Sequence, residues 1–239
     1  FINAVGFHKP GKGVKNLVNV KWHLQEDPSN AIRNKVKAFA TTHDLSFYNA
    51  RNQHGFLRTL MIRIASTGEI MELVQFFHED VEKRTLLLEY IANEFPEITS
   101  LQYTINSKGN DTIYDQDIIC YNGKDFIEEE MEGLRFKINA KSFYQTNSKQ
   151  AYELYKVTRD FADLTGSELV YDLYTGTGTI AQFVAKKAKK VIGVEAVPEA
   201  IQDAKENAKR NTIDNVEFYV GDMKKVFTNP VAQWFFRWL

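Results

Sequence analysis

At 239 residues, with a formal charge of −1, 44% apolar residues and one cysteine, the chain is long enough for one large domain or two modest ones and too apolar to be disordered. Up to Ala140 there are 16 basic and 19 acidic residues, and after it 14 and 12, so bulk charge names no polyanionic partner and any basic surface is local. Cys120 alone excludes an intramolecular disulfide and a multi-cysteine metal site, so no metal is expected. No apolar run reaches membrane-spanning length and the N-terminus lacks a signal-peptide core; the expectation is a cytoplasmic monomer with no membrane partner. The chain opens at Phe1 without an initiator methionine, so something ahead of it is expected to have been removed.

Residues 1 to 24 read as loop and strand, punctuated by Gly6, Pro10, Gly11 and Gly13, with Leu17-Val18-Asn19-Val20 extended. Lys9, Lys12, Lys15 and Lys21 have no acid among them and fit a solvated face as well as a phosphate track. Pro28-Ser29 opens a helix with Ile32, Val36, Phe39 and Ala40 at helical spacing. Leu57 to Ile64 and Ile70 to Phe77 read as a hairpin closed by Ala65-Ser66-Thr67-Gly68-Glu69. A helix from Val81 to Phe95 carries an apolar stripe through Leu87, Leu88 and Ile91 and stops at Pro96. Short strands follow at Leu101 to Asn106, Asp117 to Tyr121, Phe126 to Met131 and Leu134 to Ile138, with Lys108-Gly109-Asn110 and Asn122-Gly123 as turns. Pairing in this first part is expected to be mostly antiparallel, and the domain boundary to lie near Ala140. A helix over Ser148 to Leu164 then leads into a βαβ pattern.

That pattern begins at Leu169-Val170-Tyr171-Asp172-Leu173-Tyr174-Thr175-Gly176-Thr177-Gly178-Thr179-Ile180-Ala181, an apolar strand, an acid, a glycine turn and a helix start. The glycines let backbone approach a ligand, as in dinucleotide-binding folds. Val191-Ile192-Gly193-Val194-Glu195 and Val216-Glu217-Phe218-Tyr219-Val220-Gly221-Asp222 are two further strands ending in acids, with a helix over Pro198 to Arg210 between them. Asp172, Glu195 and Asp222 thus stand at the carboxyl ends of three successive strands, where open α/β sheets bind ligands. A pyrophosphate at the turn would be repelled by Asp172. A sulfonium and an ammonium would be attracted, by roughly 1 to 4 kcal/mol at surface-like dielectrics. S-adenosylmethionine is therefore favoured over NAD, with Glu195 accepting from the ribose hydroxyls and Asp222 from the adenine amine. The alternative for Asp172 is a plain turn or helix cap.

With these residues in place, the chain resembles the RNA (uracil-5-)-methyltransferases from about Val5 to Phe227. The resemblance rests on Ser142-Phe143-Tyr144-Gln145-Thr146-Asn147, which is similar to the family's Phe-x-Gln-x-Asn element, on Asp172 to Thr179 as its cofactor loop, and on Val194 to Ala200 as its second motif. Phe56-Leu57-Arg58 followed by Thr67-Gly68-Glu69 is similar to its central-domain hairpin. It implies an α/β fold: a mixed α+β central domain over 1–140, then a partial Rossmann-like S-adenosylmethionine-dependent methyltransferase domain over 141–239. It also implies an enzyme that methylates carbon 5 of uracil in RNA, with the 23S rRNA branch favoured over the tRNA branch by the Gly6-Phe7-His8 opening. Gln145, Tyr174, Gly176, Thr179, Glu195 and Asp222 are assigned to S-adenosylmethionine together with Asp172. For Gln145 the alternative is an amide tying a loop to a helix N-terminus, and for Tyr174 a packing aromatic. Arg51, His54 and Arg58 are candidate contacts to the RNA backbone, or else solvated charges.

The family's chemistry needs a cysteine thiolate that adds to carbon 6 and a carboxylate base that helps remove the carbon 5 proton. Both are expected beyond Phe227, in segments that Thr228 to Leu239 does not match, so the chain is expected to bind cofactor without turning over. Cys120, in a central strand beside Asn122-Gly123, reads as a structural thiol. An iron–sulfur cluster is not supported, and His23, near where its last cysteine would fall, reads as ordinary surface or packing. Two readings of other classes stay open: a methyltransferase acting on protein or a small molecule, and a non-catalytic RNA-binding module. The apolar Trp234, Phe235, Phe236 and Trp238 fit either a cover for the sheet or an association surface.

Overall fold

The computed structural model describes residues 25–222 and a short antiparallel pair before them, β1 (Phe7–His8) with β2 (Asn16–Leu17). Lys9, Lys12, Lys15, Lys21, His23 and the segment after Asp222 lie outside the described residues. The chain divides into two compact units, Phe1–Ile127 with Asn139–Lys141, and Glu128–Ile138 with Ser142–Leu239.

The first unit is built on a four-stranded sheet in the order β3-β4-β5-β6, made of β3 (Leu57–Ile64), β4 (Ile70–Phe76), β5 (Ser100–Ile105) and β6 (Ile119–Gly123). Helices α1 (Ser29–Thr42) and α2 (Val81–Glu94) cover one face. β3 and β4 form the expected hairpin, and β5 and β6 also pair antiparallel. β4 and β5 pair parallel, because α2 carries the chain back across the sheet between them. Asp80 starts α2 by accepting the Lys83 N–H at 3.1 Å. The core joins Ile32, Val36, Leu87, Leu88 and Ile91 from the helices to Ile70, Val74, Phe76 and Leu101 from the sheet.

One strand residue breaks this pattern. Glu72 pairs across the sheet with Ile62 and Leu101, on the same face as Ile70 and Val74, and is fully buried. Neither of its oxygens has a hydrogen-bond partner among the described residues. Burial alone pushes its carboxyl up to about 8.

The opposite face sets buried polar groups, Gln75, Ser100, Gln102, Thr104 and Asn106, beside the buried Met71 and Leu73. These groups anchor the connection from β5 to β6, which is longer than the tight Lys108-Gly109-Asn110 turn expected from sequence. Thr104 Oγ1 donates to Asp117 O at 2.7 Å, and Asn106 Nδ2 to Gln75 Oε1 and Thr112 O, both at 3.1 Å. The expected Asn122-Gly123 hairpin is likewise absent. Gly123, at φ +80°, stays in the sheet opposite Ser100, and among the described residues the following strands β7 (Phe126–Met131) and β8 (Leu134–Asn139) pair with each other alone.

The second unit holds a parallel sheet in the order β11-β10-β9, from β9 (Leu169–Leu173), β10 (Lys190–Glu195) and β11 (Val216–Val220). Ahead of it runs α3 (Ser148–Phe161), and between the strands lie α4 (Thr179–Ala185) and α5 (Pro198–Arg210). This is the expected βαβ order of a Rossmann-like domain. The sequence places the division at Ala140, whereas Glu128–Ile138 groups with this second unit. Side chains of α5 and the turn after it explain the difference: Asn207 Oδ1 accepts the Lys137 N–H and Asn211 Oδ1 the Arg135 N–H, each at 2.8 Å, tying β8 to α5.

Candidate cofactor site

The glycine turn follows β9 and is shaped by three residues at positive φ. Tyr174 stands at +64°, Gly176 at +56° and Gly178 at +78°. A Cβ on Gly178 would come within 2.7 Å of the Phe218 ring, so only glycine fits there, while one on Gly176 would meet nothing within 4 Å. The turn is thus packed tightly on its inner side and open on its outer side. Tyr174 is 74% exposed in a left-handed conformation that costs a side-chain-bearing residue on the order of 1 kcal/mol. Such strain gathers at ligand sites. Thr175 N–H donates to Val194 O at 3.0 Å and Gly221 N–H to Glu195 O at 2.8 Å, which brings the ends of all three strands side by side.

Asp172 and Glu195 both meet this turn. Asp172 uses one oxygen, Oδ2, twice: it accepts from Thr175 Oγ1 at 2.6 Å and from the Ala181 N–H at 3.0 Å. The capping alternative is therefore real, and Oδ1 makes no hydrogen bond among the described residues. Burial pushes the Asp172 carboxyl up and the nearby Glu195 charge adds to this, against the two hydrogen bonds that lower it. Glu195 Oε1 accepts from the Ala196 and Val197 N–H groups at 2.7 and 3.1 Å, and Oε2 from Gly176 N–H at 3.2 Å. Two carboxylates coupled at one open turn repel an anion and favour a cation, which fits a sulfonium nucleoside and not a pyrophosphate.

The other expected residues divide. Gln145 is exposed and its amide makes no hydrogen bond among the described residues, because the cap of α3 is made by Asn147, whose side chain accepts the Gln150 N–H at 3.1 Å. Thr179 is buried with its hydroxyl 3.3 Å from that of Thr177. Asp222 is exposed just past β11, beside the Gly221 that bonds to Glu195. Sequence reasoning missed Thr175, which holds Asp172, and Gly193, where a Cβ would collide with Phe218 and Thr175. A lone glycine inside a strand was the available signal for the second.

In the first unit, Arg51 and His54 lie exposed in the turn before β3, and neither side chain bonds to another described residue. Arg58 is committed elsewhere. Its guanidinium donates to the carbonyls of Asn106, Lys108 and Asn110, each at 2.6 Å, and stacks 4.8 Å from the Tyr48 ring centre. Cys120 is exposed in β6 with its thiol pushed up by burial and by the Asp125 charge, the reverse of what a nucleophile needs. Among the described residues no group of three or more His, Cys, Asp or Glu side chains could hold a metal, and no helix is long and apolar enough to cross a membrane.

Comparison with known proteins agrees with this geometry. Residues 165–234 match the family described as a methyltransferase domain. The chain is 60% identical over 230 residues to an uncharacterized RNA methyltransferase of Bacteroides thetaiotaomicron, covering 95% of this chain and 51% of that protein. It is 56% identical over 232 residues to one of Porphyromonas gingivalis, covering 96% and 50%. The chain spans about half the length of the curated relatives it matches. Among solved structures, the Pyrococcus abyssi tRNA (uracil-54, C5)-methyltransferase in complex with S-adenosyl-L-homocysteine superposes with a TM-score of 0.76 at 27% identity, over 92% of this chain and 52% of that one. The fold is that of an S-adenosylmethionine-dependent methyltransferase joined to a mixed α/β unit.

Proposed function

We propose, for a chain homologous to RNA methyltransferases over about half their length, that it is the central and cofactor-binding part of an enzyme methylating carbon 5 of uracil in RNA, with 23S rRNA as the favoured substrate. The observation that carries the cofactor assignment is the open glycine turn flanked by Asp172 and Glu195, whose coupled negative charges suit a cationic nucleoside. Support for uracil carbon 5 comes from the likeness to a tRNA uracil-C5 enzyme over most of this chain and from the Phe143-x-Gln145-x-Asn147 element.

S-adenosylmethionine supplies the methyl group when bound. Glu195 is assigned the ribose hydroxyls, Asp222 the adenine amine, Tyr174 the adenosyl or methionine surface, Gln145 a polar contact through its unbonded amide, and Asp172 the positive end. Gly176 allows close approach. Thr179, with its hydroxyl turned to Thr177, contributes through its main chain. Arg51 and His54 are assigned to the RNA backbone, and Arg58 to holding the loop beside them. The nucleophilic thiolate and the base are assigned to segments outside this chain, since the thiol of Cys120 is shifted away from ionisation.

The test is transfer of labelled methyl groups from S-adenosylmethionine to uridine-containing RNA, with this chain and a full-length relative side by side. The relative is expected to give 5-methyluridine, and this chain to bind cofactor and give none. Product at any other base from the relative refutes the uracil assignment, and 5-methyluridine from this chain refutes the placement of the nucleophile.

A further inference from the structure

The outer edge of the second unit's sheet carries a groove that none of the roles above uses. Among the described residues β11 is the edge strand of that sheet, and α5 packs against it. Between them opens a groove of about 390 Å3, within the range of small-ligand sites at roughly 300 to 1,000 Å3. Ile213, Val216 and Phe218 give it an apolar wall, and Tyr219, 43% exposed, adds an aromatic ring open to solvent. Lys205 and Lys209 line it from α5 and are exposed. They stand one helical turn apart, with roughly 5 to 6 Å between their Cβ atoms.

The charges around this groove do not cancel. Elsewhere on α5, Asp203 accepts from Ser142 Oγ at 3.1 Å, Glu206 pairs with Lys137 at 3.6 Å and Arg210 with Glu128 at 2.7 Å. Lys205 and Lys209 make no hydrogen bond or ion pair among the described residues. Glu217, the acid that lines the groove, is already taken: Lys190 Nζ lies 2.7 Å from Oε1, and the Tyr219 hydroxyl donates to Oε2 at 2.6 Å. Those two bonds hold its carboxyl below its ordinary value. A lysine in the last turn of a helix also complements the helix dipole, which accounts for Lys209 and leaves Lys205, a turn further in. Two cations are thus left over beside an apolar wall.

A polyanion with flat apolar faces matches this surface. Phosphates satisfy the lysines, and a base lies against the aromatic and aliphatic wall, which asks for an unpaired strand because paired bases keep their faces stacked on each other. We propose that the groove between α5 and β11 holds a single-stranded segment of the RNA substrate, an inference that rests on the RNA reading above. Lys205 and Lys209 take backbone phosphates, and the Tyr219 ring, fixed by its bond to Glu217, takes one base. Phosphate contact and stacking are tolerant of base identity, so the groove adds affinity and register and does not choose the uridine.

Fluorescence anisotropy of this chain with a short labelled uridine-rich RNA, single-stranded or paired with its complement, tests this across a salt series. Lys205→Ala combined with Lys209→Ala, both at exposed positions, is expected to weaken binding of the single strand. It should also flatten the slope of log association constant against log salt by about 1.4, two phosphates at roughly 0.7 each. Tyr219→Ala is expected to weaken the single strand about tenfold, the scale of one stacked base, with the slope kept and the duplex unaffected. A slope that the lysine pair leaves unmoved, or a Tyr219→Ala loss that is absent or equal on strand and duplex, overturns the groove while wild-type binding keeps the RNA reading. Wild-type chain that binds neither RNA overturns the RNA reading itself, and the groove with it.

Discussion

Replacing Glu195 by Ala is the most direct perturbation of the cofactor site, and the structure sets its size. The carboxylate already receives three main-chain N–H groups, from Ala196, Val197 and Gly176. An ionised carboxylate offers about four acceptor positions, so one remains for the ribose diol and a second is available only by exchange with the longest bond, that to Gly176. Each hydrogen bond to a charged group is worth about 1.5 to 3 kcal/mol, and the diol regains water when the partner is lost. The expected net loss is therefore about 1 to 3 kcal/mol, or roughly 5- to 150-fold in Kd. Because S-adenosylhomocysteine and 5′-methylthioadenosine both carry the ribose, calorimetry should show the same loss with each. Glu195→Gln, which keeps one acceptor oxygen, should fall between. Unchanged affinity in a folded Glu195→Ala chain would refute the assignment.

Two further outcomes follow from buried and clamped groups in the first unit. The Glu72 carboxyl is raised from 4.5 to about 8 in the folded chain, so the unfolded chain gives up its proton first. Stability is then full below the ordinary value and falls as pH rises toward 8. At about 1.4 kcal/mol per pH unit, Glu72→Leu should be more stable than wild type by a margin that grows by roughly 3 to 5 kcal/mol between pH 5 and 8 in chemical denaturation. A margin independent of pH would show that the carboxyl is not the source. Arg58→Ala removes three bonds to the carbonyls of Asn106, Lys108 and Asn110 and should cost about 2 kcal/mol, with faster amide hydrogen exchange over residues 107–112. Exchange that stays as slow as in wild type would remove the clamp from the account.

Much of this fold was legible because periodicity and punctuation agreed with the final packing. The helices at Ser29, Val81, Ser148 and Pro198 and the three strands ending in acids appear where the apolar spacing puts them. The failures have a common cause. Lys108-Gly109-Asn110 and Asn122-Gly123 carry turn chemistry, but tertiary bonds override it: Arg58 and Asn106 hold the first in a longer loop, and the sheet keeps the second opposite Ser100. No local pattern records that a guanidinium 50 residues away will bind a loop's carbonyls. Glu72 was illegible for the opposite reason, since an acid in a strand reads as solvent-facing, and here it points with Ile70 and Val74 into the core.

Asp172 shows how two readings of one residue can both hold. Sequence offers a choice between a cap and a ligand acid, as though the carboxylate had one use. The structure divides the work between its oxygens: Oδ2 joins Thr175 to the Ala181 N–H, fixing the strand, the turn and the start of α4 against each other, and Oδ1 has no hydrogen bond among the described residues. Capping with one oxygen determines where the other points. An Asp172→Asn chain retains the acceptor for the cap if the amide oxygen takes the Oδ2 position, but then places an NH2 where a cation would lie. The cap and the charge can thus be separated by one substitution, with the fold kept and the attraction for an ammonium lost.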